Sequence, residues 1–301
     1  MFTSLPNNVT DQDPGNDALV KSYAVSQVLA LPETVTEEFT SNTFPPTNWA
    51  IINPDSDLTW QRNGSVGNKN TGSAYFNDFA NTTVDRYDDL LMPNYSYSGI
   101  DSIFLTFNLA HATKTLPGTT GSRLDTLTVL LSKDCGNTFT TVYKKYGADL
   151  QTVNNPNLSN FIPLASQWRR DSVNLGISLG ATEPLFQVVF RFSGNMENNF
   201  YLDDVNIRTQ ILPAKLKNDG YLVLPNPFKS TFGVWHYQVP TTLRYINVYN
   251  SVGQLVYSKQ FPNGGEKYFR IDLGGKAAGF YTVNLGYVDS NRNVSVQVVK
   301  Y

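Results

Sequence analysis

The residues best suited to chemistry lie in one short stretch, residues 53–60, which read NPDSDLTW. Asn53, Asp55, Asp57 and Thr59 present an oxygen atom at every second position, and in a curled loop such positions point toward one centre, as in calcium loops. Clustered carboxylates without a cation would repel each other and lose hydration. The spacing therefore indicates a site for a hard divalent cation, with a solvent-exposed Asx turn as the alternative.

A second acidic feature is the adjacent pair Asp203 and Asp204, which lies within the aromatic and aliphatic run 200–207. Burying a carboxylate in such a strand is unfavourable unless a partner replaces the lost hydration. We therefore expect at least one of the two to have a partner. The alternative places one aspartate in solvent and lets the other cap a turn.

Residues suited to catalysis are sparse. The chain has two histidines, His111 and His236, which fall in different predicted domains. It contains no His-Glu-x-x-His motif, no nucleophile elbow and no phosphate-binding loop. We therefore expect no enzymatic activity of this chain, although a longer parent protein could be an enzyme. A hydrolase that uses the Asp203 region stays an alternative.

Short alternating runs of apolar and polar residues must position these side chains. They are rich in β-branched and aromatic residues and are separated by clusters of Gly, Pro, Asn and Asp. Helical periodicity is almost absent. The pattern predicts an all-β protein with strands at the spacing of a β-sandwich. Clear examples are residues 103–109, 124–132, 186–192, 243–249 and 281–287.

The runs divide the chain into three segments and a linker. Residues 1–32 hold one strand-like run, which must dock on the next domain or be the tail of a lost immunoglobulin-like module. Residues 33–210 hold about ten strands, enough for a jelly roll. Residues 211–218 have the composition of a linker. Residues 219–301 hold about six or seven short strands, as a small immunoglobulin-like sandwich would.

Bulk composition excludes several partners. The formal net charge is −2 and charged residues make up 16% of the chain, so long-range attraction to nucleic acid or to an anionic bilayer is absent. No stretch approaches the ~20 apolar residues of a membrane helix. Cys135 is the single cysteine, which excludes an intrachain disulfide and a Cys-based zinc site. The first residues lack the features of a signal peptide, so we expect a fragment of a longer exported protein.

The larger domain resembles a known family. Its opening runs, TEEFT at 36–40 and FPPTNWAIIN at 44–53, are similar to the start of the cleaved-adhesin and choice-of-anchor-J-like jelly-roll domains of Bacteroidota surface proteins. Further matches follow in order at residues 87–93, 102–109, 127–139, 168–175 and 202–205. Met92 departs from the family pattern, which has Thr-Pro at the end of that strand.

The resemblance implies a bound structural Ca²⁺, because in that family an Asp-rich loop, a Glu of the first strand and the closing acidic pair coordinate calcium. We expect one ion to join the early loop to the late strand, and Asn53, where the family usually has Asp, to lower its affinity. An ion at 1,000 times its dissociation constant contributes about 4 kcal/mol. The implied ligands are Glu38, Asn53, Asp55, Asp57, Thr59, Asp203 and Asp204, with Asp88 a weaker candidate.

Residues 219–301 resemble the type A C-terminal sorting domain of type IX secretion. The resemblance implies recognition by the outer-membrane translocon and its shuttle proteins, and a secreted or cell-surface location reached across the outer membrane. Cargo of such domains is released or attached to the surface. The matching runs are YLVLPNPF at 221–228, INVYNSVGQLV at 246–256, IDL at 271–273, AGFYTV at 278–283 and VVKY at 298–301.

Together these features favour a non-catalytic accessory or adhesion region of an exported surface protein, whose residues 33–210 bind a glycan or a host or surface protein. One alternative is a carbohydrate-binding module in which Trp168, Tyr95 and Tyr97 stack on sugar rings, although aromatic residues more often fill sandwich cores. Another is the C-terminal part of a secreted peptidase whose catalytic domain lies upstream.

Overall fold

The computed structural model of the chain describes residues 27–84, 86–114, 124–154, 156–179, 185–288 and 293–301. Over these residues the protein is dominated by β-strands, which confirms the predicted all-β fold class. The chain divides into two compact units, of which the first ends at Ile211 and the second runs Leu212–Tyr301. None of the helices in the described ranges has the length and hydropathy needed to cross a lipid bilayer.

The first unit contains two β-sheets. One sheet has the order β1-β7-β12-β6-β3, and β12 also pairs with β9, which pairs with β10. Its strands are β1 (Val28–Ala30), β3 (Ala50–Ile52), β6 (Asp88–Leu91), β7 (Asn94–Ser96), β9 (Thr126–Ser132), β10 (Thr140–Tyr146) and β12 (Leu185–Ser193).

The other sheet of this unit has the order β11-β8-β13-β5-β4, and β2 pairs with β13. The helices are short: α1 covers Gly147–Leu150 and α2 covers Leu175–Leu179. Two 3₁₀ turns among the described residues cover Asp78–Ala80 and Ala165–Gln167. The strands are β2 (Thr34–Glu37), β4 (Gln61–Asn63), β5 (Ser73–Phe76), β8 (Ser102–His111), β11 (Arg169–Asn174) and β13 (Phe200–Gln210).

Aromatic side chains from both sheets fill the space between them. Phe192 of β12 stacks on Phe200 of β13 with ring centroids 4.7 Å apart, and Phe190 meets Phe107 of β8 edge to face at 5.3 Å. Trp60 lies edge-on against Phe192. All five rings are at most 2% exposed. Because alternate residues of each strand face inward, this packing makes the unit a two-sheet sandwich.

The start of the described chain belongs to this sandwich. β1 pairs in parallel with β7, and β2 pairs antiparallel with β13 from Glu37 opposite Val205 to Thr34 opposite Arg208. Residues 27–32 of the predicted N-terminal segment 1–32 thus dock on the next domain, while residues 1–26 lie outside the described residues.

The first helix of the second unit is α3 (Ala214–Asp219), so the predicted linker 211–218 contains five of its six residues. Gly220 ends the helix with a left-handed φ of +76°, as glycine does at a helix C-terminus. A three-stranded sheet has the order β14-β15-β18 and a four-stranded sheet the order β17-β16-β19-β20. The strands are β14 (Tyr221–Leu224), β15 (Thr231–His236), β16 (Leu243–Asn250), β17 (Leu255–Gln260), β18 (Tyr268–Asp272), β19 (Gly279–Tyr287) and β20 (Asn293–Lys300).

Candidate functional site

The oxygen-rich stretch follows β3 and folds on itself. The Asn53 side-chain amide donates to the Asp57 carbonyl oxygen at 2.8 Å, and the Ser56 backbone N–H donates to Asn53 Oδ1 at 2.8 Å. The Asp57 N–H donates to Asp55 Oδ1 at 3.1 Å, and Ser56 has a left-handed φ of +60°. The local bonding is that of the Asx turn given as the alternative.

Asp88 of β6 is the carboxylate that this loop approaches. Burial raises the pKa of Asp88 to about 7; the facing Thr59 hydroxyl lowers it, and the charges of Asp55, Asp89 and Asp57 raise it further. Thr59 Oγ1 and Asp88 Oδ1 are both buried, and neither has a hydrogen-bond partner of normal geometry. We call Asn53, Asp55, Asp57, Thr59 and Asp88 the loop group.

Asp89 has a different role from its neighbour Asp88. Both of its oxygens accept from the Arg191 guanidinium, at 2.7 and 2.8 Å, and the guanidinium lies over the Tyr87 ring at 3.8 Å from its centroid. A bidentate pair of this kind satisfies the carboxylate fully. Asp89 is therefore a structural partner of Arg191.

The remaining predicted ligands are Asp203 and Asp204 of β13 and Glu38, which directly follows β2, and we call them the strand group. β13 pairs with β5 at residues 200–202 and with β2 at residues 205–208, so the two aspartates fall in the gap between those partners. The register with β8 also shifts there, and Asp204 has a left-handed φ of +48°. This bulge turns both carboxylates toward the loop that follows β4.

Backbone and side-chain donors of that loop bind the strand group. The Asn68 backbone N–H donates to Asp203 Oδ2 and the Asn68 side chain to Asp204 Oδ2, both at 2.7 Å. Lys69 Nζ lies 3.4 Å from Asp204 Oδ1, and Asn70 donates to Glu38 at 2.9 Å. None of these donors was predicted, although the polar run GNKNTG at residues 67–72 is a visible signal in the sequence.

Glycine allows that loop to close. A Cβ atom on Gly67 would lie 2.2 Å from the Asn70 carbonyl oxygen, which is too close for any other residue. Burial raises the pKa of Asp203 to about 7; the N–H groups of Asn68 and Asp204 lower it, and the Asp204 and Glu38 charges raise it. The strand group therefore keeps an electrostatic penalty despite its donors.

The structure thus places the seven predicted ligands in two groups, with Asp88 joining the loop group. Among the described residues, no set of three or more His, Cys, Asp or Glu side chains stands in an arrangement that could hold a metal ion. The expected calcium ligands stay a prediction.

The aromatic residues named for sugar stacking differ in burial. Tyr95 is 4% exposed and contacts Phe186 at a centroid distance of 5.7 Å, as Tyr97 also does. Trp168 lies edge-on to Tyr201 at 6.2 Å. Tyr95 is therefore a core residue, whereas Tyr97 and Trp168 are half-buried and pack against the core.

In the second unit, hydrogen bonds join the opening motif to the closing motif. Asn226 accepts from the Val299 N–H at 2.9 Å and donates to the Gln297 carbonyl at 3.0 Å, and the Phe228 N–H donates to the Val299 carbonyl at 2.8 Å. Lys300 is 9% exposed, and its ammonium donates to the carbonyl oxygens of Gly274 and Lys276.

The second unit matches a known family. The family model described as "Secretion system C-terminal sorting domain" matches residues 222–300. This match confirms the sorting domain expected from the sequence and marks the chain for export, to the medium or to the cell surface. No curated protein matches the chain.

Several solved structures are similar at low identity. The K3 cleaved adhesin domain of Lys-gingipain from Porphyromonas gingivalis is 18% identical, covers 58% of this chain and 98% of its own, and has a TM-score of 0.41. PorZ, a surface component of the type IX secretion system of that bacterium, is 15% identical over 32% of this chain and 14% of its own, with a TM-score of 0.23. The C-terminal family 22 carbohydrate-binding module of Clostridium thermocellum Xyn10B is 10% identical over 58% and 94%, with a TM-score of 0.33. Likenesses this distant say nothing about ligand or activity.

Proposed function

We propose that this chain is a non-catalytic accessory or adhesion region of an exported bacterial surface protein, delivered by the type IX translocon and its shuttle proteins through the second unit. The observation that carries this proposal is the family match at residues 222–300. The first unit is the cargo-side module, which binds a glycan or a surface protein.

A secretion assay tests the delivery role. A reporter protein fused to residues 212–301 should reach the medium or the cell surface of a bacterium that has type IX secretion, whereas the same reporter fused to residues 1–211 should stay in the cell. Retention of the first fusion in the periplasm would contradict the proposal. Glycan arrays and pull-down of surface proteins with the 1–211 unit test the cargo role.

We also propose that Ca²⁺ is the structural cofactor of the first unit, bound by the loop group and by the strand group. The buried, unpartnered oxygens Thr59 Oγ1 and Asp88 Oδ1 support this fit, because hydroxyl and carboxylate oxygens are ligands that calcium takes. Carbonyl groups and water can complete a calcium shell, so few carboxylates are needed at each group.

Calorimetry with a chelator tests the cofactor. EGTA should lower the melting temperature of the first unit, and excess Ca²⁺ should restore it. Thr59→Val and Asp88→Asn should reduce that shift, while Asp149→Asn, which changes an exposed carboxylate of the same unit, should leave it unchanged. A melting temperature indifferent to EGTA would rule out the calcium proposal.

A further inference from the structure

A second buried acidic cluster lies apart from the loop and strand groups. It brings together Asp78 from the turn after β5, Asp125 just before β9 and Glu197 between β12 and β13. The three side chains are each at most 2% exposed. Carboxylates this deeply buried repel one another and lose their hydration, so the cluster needs compensation by cations, protons or hydrogen bonds.

Asp78 is the carboxylate whose two oxygens both have donors. Oδ1 accepts from the Asn81 side chain at 2.8 Å, and Oδ2 accepts from the Glu197 backbone N–H at 2.7 Å. Glu197 in turn accepts from the backbone N–H of Lys114. Gly194 packs directly against Asp78, because a Cβ atom there would overlap Asp78 Oδ1. Two N–H donors on one carboxylate favour its ionised form.

Asp125 has a donor on one oxygen only. Oδ1 accepts from the Asn195 N–H at 2.8 Å, whereas Oδ2 is buried and no N–H or hydroxyl group donates to it. Burial and the charge of Asp78 raise the pKa of Asp125 well above its usual value, and hydrogen-bonding contact with Asp78 adds to the rise. Burial also raises the pKa of Asp78, but its bonds from Asn81 and Asp125 lower it. Two ionised carboxylates have no donor between them, so this contact requires a proton, and the proton sits on Asp125.

The basic residues packed around this pair do not replace the proton. Lys114 Nζ donates to the carbonyl oxygens of Phe79 and Met196, at 3.1 Å each. Burial lowers the pKa of His111 to about 4, and the charge of Arg169 contributes to the lowering. At neutral pH the imidazole is therefore uncharged and adds no positive charge.

The His111 ring presents a lone pair to Asp125. His111 Nδ1 lies 3.2 Å from the Asn199 carbonyl oxygen, which can only accept, so the ring proton sits on Nδ1. Nε2 is buried without a hydrogen bond and lies 3.6 Å from Asp125 Oδ2. An ionised Asp125 would therefore face this lone pair as well as the Asp78 carboxylate. A proton on Asp125 relieves both repulsions.

We propose that Asp125 carries a proton at neutral pH and donates it to Asp78, and that this proton makes the closure of one end of the first sandwich dependent on pH. Asp78 follows β5 and Asp125 precedes β9. The same two carboxyl groups accept from the N–H groups of Glu197 and Asn195, in the connection between β12 and β13. Loss of the proton should therefore loosen three connecting segments at once.

Asp125 and His111 should change the stability of the unit with pH in opposite directions. The pKa of Asp125 lies above its usual value of 3.8 in the folded state, so the stability it contributes is lost as pH rises from that value. The pKa of His111 falls from 6.5 to about 4 on folding, so stability falls as pH drops between those values. Above pH 6.5 only the carboxyl group of these two residues still affects stability.

Infrared spectroscopy of the full chain tests for the proton. A protonated carboxyl group absorbs apart from a carboxylate, and the wild type at pH 7 should show a protonated band that Asp125→Asn removes. Excess Ca²⁺ should leave that band in place, which distinguishes it from any band of Asp88 or Asp203. Asp149→Asn, which changes an exposed carboxylate, should remove no protonated band. Loss of carboxylate absorption alone in Asp125→Asn would overturn the proposal.

Urea denaturation at several pH values tests the consequence for stability. Asp125→Asn offers a permanent N–H donor to Asp78, so its urea midpoint should exceed that of the wild type at pH 8, and the gap should narrow toward pH 5. Asp125→Ala lacks a donor and should be less stable than the wild type at pH 5. A difference between Asp125→Asn and the wild type that is the same at every pH would contradict the role of the proton.

Asp78→Asn gives a second measurement if Asp125→Asn fails to fold. It removes the charge that disfavours ionisation of Asp125, so the protonated infrared band should disappear at a lower pH than in the wild type. A band whose titration is unchanged by Asp78→Asn would show that the two carboxyl groups do not share a proton.

Discussion

At the scale of single residues, the first unit contains carboxyl groups whose charged form is disfavoured by burial. Asp88, Asp125 and Asp203 come from three different strands or strand ends, and burial raises the pKa of each. A folded protein tolerates such groups when a bound ion or a proton offsets the lost hydration. The stability of this unit should therefore respond to metal and to pH together.

Asp88 gives the clearest test of this coupling. Its pKa rises from 3.8 to about 7 on folding, so the folded state binds the proton more tightly and loses stability as pH rises between those values. In calcium-free buffer, Asp88→Asn should stabilise the protein by about 1–3 kcal/mol at pH 8 and by less at pH 5. Urea denaturation at the two pH values measures the difference.

Calcium should reverse the sign of that effect. With excess Ca²⁺ the carboxylate becomes a ligand, so Asp88→Asn should be less stable than the wild type. An Asp88→Asn variant that is more stable at every calcium concentration would show that Asp88 binds no ion.

The sequence revealed which residues carry charge but not how the fold groups them. Asn53, Asp55, Asp57 and Thr59 lie close in sequence, so their grouping follows from spacing alone. Glu38 and Asp203 come close together because a bulge shifts the register of β13 against β8. No local sequence pattern predicts that bulge. No local pattern at His111 shows that its ring contacts the Asn199 carbonyl oxygen, because Asn199 lies 88 residues further along the chain.

At the scale of elements, the last strand of the second unit depends on one lysine. Lys300 Nζ is directed at the turn after β18, where it donates to two carbonyl oxygens. Lys300→Met should leave those carbonyls without a donor and destabilise the unit by about 1–3 kcal/mol. Lys229→Met, which changes an exposed lysine of the same unit, should have little effect. Equal loss of stability in both variants, by guanidinium denaturation, would contradict a specific role for Lys300.

The strands themselves were predictable because their alternation is regular. Residues 103–109 and 281–287 lie within β8 and β19. The linker was harder, since residues 211–218, ILPAKLKN, mix a proline with apolar and charged residues and suit a helical turn as well as an extended segment. α3 forms there with Leu216 buried at 5% exposure, and a helix of six residues is too short to show a helical periodicity.

At the scale of the whole molecule, each unit has its own core. The first is built on rings such as Phe107 and Phe192, and the second on residues such as Phe232, Val248 and Leu285. Because a domain with a complete core can unfold by itself, we expect two transitions in calorimetry of the full chain. The isolated 212–301 unit should reproduce one of them, and EGTA should move only the other. A single merged transition would contradict independent unfolding.

The pairing of β2 with β13 has a consequence for how the chain is made. Thr36 donates to Asn206 across 170 residues of sequence, at 2.9 Å. At synthesis rates of about 5–20 residues per second, β2 waits roughly 10–30 s before its partner strand exists. During that interval its edge is open to mispairing with other chains. A nascent molecule of this protein therefore needs a chaperone, or a slow collapse, to keep β2 from mispairing until β13 has left the ribosome.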